Sequence, residues 1–310
     1  MAFKILITEG ESPLGAALLR AFENFSFSIV CPEPGSIDWC DNSSVSACLK
    51  HAKPAVVINT LNWLATIDDK GSPPCLPDAL AELSRTDDLT VIHLSSHEVF
   101  GDRPIEGVLK SSDTPEPSTP LGEMLLAAES AYQAVPRCLV LRLPWLIDGP
   151  TGLITQMGTR LIQPSAYLGV SDAWKGAPVS IENVSASIIA IIQQVLCGAD
   201  NWGVMHIHAS DPCSEAEFAD FMARHLSRVG CAVGHISIVS ETDRLMRCNG
   251  LLGGKGLTNA FGIQLRSWRL GSKVLIRQWL EDKIERGDVV LESNVDLTQD
   301  DDNLARNLGV

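Results

Sequence analysis

Residues 3–22, FKILITEGESPLGAALLRAF, decide the fold. Phe3–Ile7 is a short β-prone apolar run, a turn containing Gly10 follows, and then Leu14, Ala17, Leu18 and Phe22 recur at helical spacing. The stretch reads as a strand, a tight turn and a helix, and outward from it the alternation continues. Strands are predicted at Phe27–Cys31, Ala55–Asn59, Thr90–Ser95 and Cys138–Leu143, with helices at Ser44–His51, Cys75–Ser84 and Gly122–Val135. Continuously apolar strands separated by amphipathic helices imply a parallel sheet covered on both faces. Beyond Pro144 the helix Ile181–Leu196 and the strand Val204–His208 read as a return to the sheet, and Glu215–Val229 and Ser272–Glu285 as helices beside it. The expected architecture is α/β, a doubly wound parallel sheet built from 1–150 and 176–208. A smaller C-terminal lobe takes 151–175 and 209–284, and 285–310 is an acidic extension.

Composition narrows the function classes. The 310 residues carry 38 Asp and Glu against 24 Lys and Arg, a net charge of −14, which repels phosphate backbones and anionic lipid. Nucleic acid and membrane are therefore not expected as partners. Residues 281–310 alone hold nine acids against Lys283, Arg286 and Arg306, a stretch that could contact a basic protein partner. Nine cysteines are scattered without a Cys-x-x-Cys pair, so neither a disulfide framework nor a zinc knuckle is readable, and His206-x-His208 has no further ligand at metal spacing. No metal is expected. Reduced thiols, the lack of a signal-peptide pattern in residues 1–8, and the absence of an apolar run of the ~18 residues that span a bilayer point to a cytoplasmic protein.

The first turn carries the chemistry of a Rossmann-like fold only in part. A dinucleotide-binding turn uses glycines so that backbone N–H groups approach the pyrophosphate at the helix N-terminus. Set on Gly-x-x-Gly-x-x-Gly with Gly15 last, the chain places Glu9 and Ser12 at the first two glycine positions. Glu9 puts negative charge at the turn. After the second strand, Cys31–Cys40 offers Glu33 and Asp38 but no cation, which favours NAD over NADP. The residues that would meet NAD(P) are Gly10, Ser12, Leu14, Gly15, Asp38 and Asn59.

Further motifs resemble the dTDP-4-dehydrorhamnose reductase family, within the extended short-chain dehydrogenase/reductases, from about residue 3 to 284. Pro54–Asn59 (PAVVIN) is similar to the family's PDVVINAAA, and His93–Asp102 (HLSSHEVFGD) to HxSTDYVFDG. Glu116–Glu129 parallels PxNxYGxTKxxGE, and Val140–Trp145 the LRxxW that follows. DAWKGAPV (172–179), RCNGLL (247–252) and FGIQLRSW (261–268) resemble DQxGxPT, RPxxSxL and FGIxxxxW. The resemblance implies a substrate-binding C-terminal lobe and a mechanism in which Tyr protonates the C4 carbonyl of a deoxyhexulose while NADPH delivers hydride. A neighbouring Lys lowers the Tyr pKa, and a Ser or Thr bonds the same oxygen. The positions that match are Leu121 for the Tyr, Leu125 for the Lys and Ser96 for the Ser. Only the last is retained, and neither Tyr132 nor Tyr167 has a Lys four residues later.

The remaining candidates surround Ser96. His97 and Glu98 sit with it at the end of a strand, where open α/β sheets bind ligands, and either could replace the missing acid. Trp174, in a loop with Gly and Lys, is the pocket candidate among Trp145, Trp174 and Trp268. Arg142 and Arg247 could bind ligand phosphates. Three readings follow: a non-catalytic member that binds a nucleotide or nucleotide sugar or serves as a regulatory or scaffold subunit, an active NAD(P)-dependent sugar-nucleotide reductase with a replaced proton donor, and a ligand-free protein–protein module.

Overall fold

The computed structural model describes residues 3–60, 76–84, 88–102, 107–163, 167–239 and 249–289. The central sheet takes its first five strands from β1 (Lys4–Ile7), β2 (Ser28–Val30), β3 (Val56–Asn59), β4 (Thr90–Ser96) and β5 (Cys138–Leu143). Between them run α1 (Pro13–Phe22), α2 (Asn42–Ala52), α3 (Leu76–Leu83) and α4 (Pro120–Tyr132), with a 3₁₀ turn at His97–Phe100 directly after β4. The chain continues through α5 (Leu153–Leu161), β6 (Tyr167–Val170), β7 (Lys175–Gly176), α6 (Ile181–Leu196) and β8 (Gly203–His206), which returns to the sheet. After it come β9 (Cys213–Ser214), α7 (Glu215–Arg228), β10 (His235–Ile238), α8 (Gly256–Phe261) and α9 (Arg269–Glu285).

The sheet order is β2-β1-β3-β4-β5-β8, parallel throughout. Alternate residues of each strand enter different cores. Ile5 and Ile7 pack with Leu18 and Phe22 on one face, whereas Leu6 meets Val45, Leu49 and Val57 on the other. Val57, Val91 and Val140 continue the second face, which α2, α3 and α4 cover through Leu49, Leu80 and Tyr132. Burial on both sides explains why these strands read as unbroken apolar runs. α6, with Ile181, Val184, Ile188, Ile191, Ile192 and Val195 buried, covers the first face beside α1. Its N-cap, Ser180, accepts the Asn183 N–H at 3.2 Å.

The predicted elements recur with ends shifted by no more than three residues, and the doubly wound parallel sheet is as expected. Six short pieces were not predicted: α5, β6, β7, β9, β10 and α8. They carry too few residues for a readable period and gain their order from packing, as in the parallel pair of β6 with β10. The helix expected from Ser272 is the regular part of α9, which Gly271 at φ 101° separates from Trp268. The predicted start at Cys75 and the extension from 290 onward lie outside the described residues.

Trp145 shows why two glycines are obligatory. It is 1% exposed, and its indole lies against both Gly176 and Gly250, where an added Cβ would overlap the ring. The Val179 N–H donates to the Trp145 carbonyl at 3.0 Å, which brings that segment onto the end of β5. Overpacking a buried ring costs about 1–3 kcal/mol. Gly250→Ala should therefore lower the unfolding free energy measured in urea by that amount while leaving the far-ultraviolet circular dichroism unchanged. An unshifted midpoint would show that the ring can move aside.

Candidate functional site

The strand order reverses about β1, so the crevice for a ligand lies at the carboxyl ends of β1 and β3. Gly15 is required there, because an added Cβ would strike the Glu9 carbonyl oxygen and push α1 off the turn. Gly10 is equally confined, by Cys31 and Leu19. Some donors of the turn are engaged within the chain. Ser12 is the α1 N-cap, and its Oγ accepts the Gly15 N–H and donates to the Glu9 carbonyl, both at 3.0 Å. The Glu9 N–H donates to Thr60 Oγ1 at 3.0 Å. Pro13, at the first helical position, has no N–H at all. Of the first-turn donors, Leu14 N–H is left without an intrahelical acceptor. The loss at Pro13 went unremarked in the sequence, although an N1 proline is a readable signal.

Two of the residues expected at a cofactor make hydrogen bonds within the chain. Asn59 is 1% exposed, and its amide donates to Tyr132 Oη at 2.8 Å and lies 3.0 Å from His93 Nδ1. Its side chain belongs to a buried network, with Tyr132 and His93 stacked at 4.2 Å between ring centroids. Asp38 is exposed and accepts the Cys40 N–H at 2.9 Å, closing the loop that leads to α2.

The end of β4 gathers the other candidates. Ser96 is half-buried and caps the 3₁₀ turn, its Oγ accepting the Glu98 N–H at 3.3 Å and lying 3.1 Å from His97 Nδ1. His97 Nδ1 is also 3.3 Å from the Leu143 carbonyl oxygen. Burial drives the His97 pKa down, against the opposing pull of Glu98 and the Leu143 carbonyl, so the ring is held neutral. Glu98 Oε2 accepts from Thr119 Oγ1 at 3.2 Å, and Gly122 comes so close to the Glu98 carbonyl that no Cβ would fit.

Leu121 and Leu125 lie one turn apart on α4 and face an apolar cluster. Leu125, 8% exposed, packs with Val99, Phe100, Leu109 and Leu252, and Leu121 packs against the same group. Leu109 and Leu252 are joined by a parallel bridge, with Leu109 N–H donating to the Leu251 carbonyl at 2.9 Å. The segment at 249–253 is thereby laid against α4.

Arg142 does not reach a ligand. It is 3% exposed and holds Glu129 through two bonds, Nε to Oε1 at 2.9 Å and Nη2 to Oε2 at 2.7 Å. Ser95 Oγ donates to the same Oε1 at 2.5 Å, and the guanidinium lies 4.9 Å from the Phe100 ring centroid. This network was not read from the sequence, where the three residues lie in separate motifs. Trp174 is 1% exposed within the main core, so it offers no open face to a sugar, and Trp268 stacks among Phe218, Phe221 and Arg269. Arg247 lies outside the described residues. His206 is structural: its Nδ1 donates to the Leu109 carbonyl at 3.2 Å, and burial with Arg142 nearby lowers its pKa to about 4. Among the described residues no group of three or more His, Cys, Asp or Glu could hold a metal, and no helix is long and apolar enough to cross a membrane.

A parallel sheet wound on both faces, with a glycine-limited turn after its first strand, defines a Rossmann-like α/β fold. Within it, the chain belongs to the RmlD substrate binding domain family, whose model matches residues 3–280. It is 25% identical over 287 residues to a dTDP-4-dehydrorhamnose reductase of Sinorhizobium fredii (strain NBRC 101917 / NGR234), covering 87% of this chain and 96% of that one. The fold is similar to that of a dTDP-4-dehydrorhamnose reductase of Clostridium acetobutylicum, with TM-score 0.74, 20% identity, 90% of this chain and 100% of that chain covered. A Bacillus anthracis dTDP-4-dehydrorhamnose reductase in complex with NADP gives 0.69 and 21%, covering 91% and 99%.

The buried histidines make stability depend on pH. His93 has its pKa lowered to about 3 by burial, and His206 to about 4, against about 6.5 in an unfolded chain. Both are depressed on folding, so the unfolded state binds more protons between these values. Their contribution is complete above about pH 6.5 and is lost as pH falls towards 4 for His206 and towards 3 for His93. Urea midpoints should fall across that window, and His93→Gln should flatten the slope by up to about 1.4 kcal/mol per pH unit. A slope unchanged in that variant would show His93 to be protonated in the fold.

Proposed function

We propose that this chain is a non-catalytic member of its family that binds a nucleotide sugar and acts as a regulatory or scaffold subunit. The observation that carries the reading is the placement of Leu121 and Leu125. Where the family resemblance calls for a phenol and an ammonium, two alkyl side chains complete an apolar cluster with Val99, Phe100, Leu109 and Leu252. Neither can give a proton or lower a neighbour's pKa. Loss of a positioned acid costs roughly 10²–10⁴ in rate.

The dinucleotide turn supports the same reading. Ser12 and Thr60 engage two of its N–H groups, Pro13 lacks a third, and Glu9 brings negative charge, so the residues present fit a pyrophosphate poorly. Any NAD(P) binding is weak on this account. The half-buried Ser96 hydroxyl, at the sheet end where ligands of this fold class bind, remains to contact a sugar oxygen. A second reading, an active reductase with a replaced donor, is favoured by the activity for which the Sinorhizobium fredii relative is named. In it His97 or Glu98 would supply the proton.

Titration calorimetry with NAD, NADH, NADP, NADPH and dTDP-4-dehydrorhamnose separates these readings. The nucleotide sugar should bind, more weakly in Ser96→Ala, with each dinucleotide at least tenfold weaker. NAD(P)H oxidation that requires dTDP-4-dehydrorhamnose and is lost in Ser96→Ala would establish the reductase instead. No heat with any of the five would leave a ligand-free module.

A further inference from the structure

The proton of the Ser96 hydroxyl has a fixed direction, and His97 sets it. Two groups approach Ser96 Oγ: the Glu98 N–H at 3.3 Å, which can only donate, and His97 Nδ1 at 3.1 Å. The role of Nδ1 is decided by its other neighbour. The Leu143 carbonyl oxygen, 3.3 Å away, can only accept. A proton on Nδ1 is shared between the carbonyl and Ser96 Oγ, whereas a bare Nδ1 would set its lone pair against the carbonyl. The ring therefore carries its hydrogen on Nδ1. Because burial disfavours the imidazolium, Nε2 carries none, and it makes no hydrogen bond among the described residues. An unmatched lone pair there costs less than an orphaned N–H.

Ser96 then accepts from both Glu98 and His97, and its lone pairs are fully used. What remains is its hydrogen, which has no acceptor among the described residues. The opposite tautomer would have produced a Ser–His pair with the hydroxyl proton drawn inward and Oγ activated as a nucleophile. The Leu143 carbonyl selects against that arrangement. β4 and β5 are in register here, Ser96 opposite Leu143, so the carbonyl is held in place by the sheet itself.

We infer that His97 is a positioning residue that locks the Ser96 hydroxyl as an outward hydrogen-bond donor, so that the site selects sugar nucleotides presenting an acceptor-only oxygen, a ketone carbonyl, over those presenting a cationic amine. This rests on the nucleotide-sugar reading for its ligand and names the group recognised. A protonated amine has donors and no acceptor, so it meets the Ser96 hydrogen head on. A carbonyl accepts it.

The direction of the proton is measured without any ligand. Long-range ¹H–¹⁵N correlation spectra of protein labelled at histidine, with the His97 signals identified by their loss in His97→Asn, should show a neutral ring protonated at Nδ1 at pH 7 to 8. An Nε2-protonated ring, or an imidazolium, overturns the inference. The selectivity is then read by calorimetry with dTDP-4-dehydrorhamnose and its 4-amino counterpart. The ketone should bind at least about tenfold more tightly, since a mismatched donor leaves polar groups unpaired. His97→Asn, whose amide N–H can replace Nδ1–H, should keep the preference, and His97→Leu should bring the ratio close to one. Equal affinities in the unaltered protein contradict the inference. If neither sugar binds, the ligand half falls together with the nucleotide-sugar reading, and the spectra alone decide the orientation of Ser96. The wild-type spectra serve equally if His97→Leu does not fold.

Discussion

The buried ion pair between Glu129 and Arg142 is the joint on which the candidate site is built. Glu129 belongs to α4 and Arg142 to β5, while Ser95 on β4 donates to the same carboxylate and Phe100 stacks under the guanidinium. Four elements are fixed relative to one another by one charged cluster. Breaking such a pair by removing one partner costs about 3–5 kcal/mol, because the other charge stays buried and uncompensated. The pair therefore sets the rotation of α4 about its axis, and with it the direction in which Leu121 and Leu125 face. It also holds β4 beside β5, which puts Ser96 and His97 against the Leu143 carbonyl.

That scaffold keeps its geometry where the chemistry of the family resemblance is missing. At Leu121 and Leu125, a phenol and an ammonium are replaced by groups that gain stability from burial, and the segment carrying Leu252 closes over them. Burying a Leu side chain contributes about 1.5–3 kcal/mol, whereas a Lys in the same cluster would carry a desolvation cost. The cluster is thus a favourable packing solution that places no titratable side chain at these two positions. At the turn after β1, Ser12 and Thr60 accept two backbone N–H groups, and Pro13 lacks one. The hydroxyl of Ser96 remains the polar group with an uncommitted proton at the end of β4.

The sheet was legible because strands buried on both faces read as unbroken apolar runs, as in Ile5–Ile7 and Cys138–Leu141, and because Leu14, Ala17 and Leu18 keep helical period. The absence of the Tyr–Lys pair was legible as well, since a missing residue type needs no geometry. Side-chain destinations were not. Asn59 sits at the end of β3 as a cofactor ligand would, yet its amide turns inward to Tyr132, a residue 73 positions away. Arg142 reads as free to bind phosphate because its partner lies on another element, and Trp174 lies in a loop of polar composition but is buried in the main core. In each case the deciding contact is between residues distant in sequence, for which periodicity carries no signal.

The central claim is that the fold binds a sugar nucleotide without passing hydride to it. It is tested most directly by incubating stoichiometric protein with dTDP-4-dehydrorhamnose and NADPH, or NADH, deuterated at either face of C4 of the nicotinamide, and analysing the sugar nucleotide by mass spectrometry. The account predicts recovery of the ketone with no deuterium incorporated above a protein-free control. A deuterium-labelled alcohol formed within a single turnover, dependent on the protein and lost in Ser96→Ala, would contradict it.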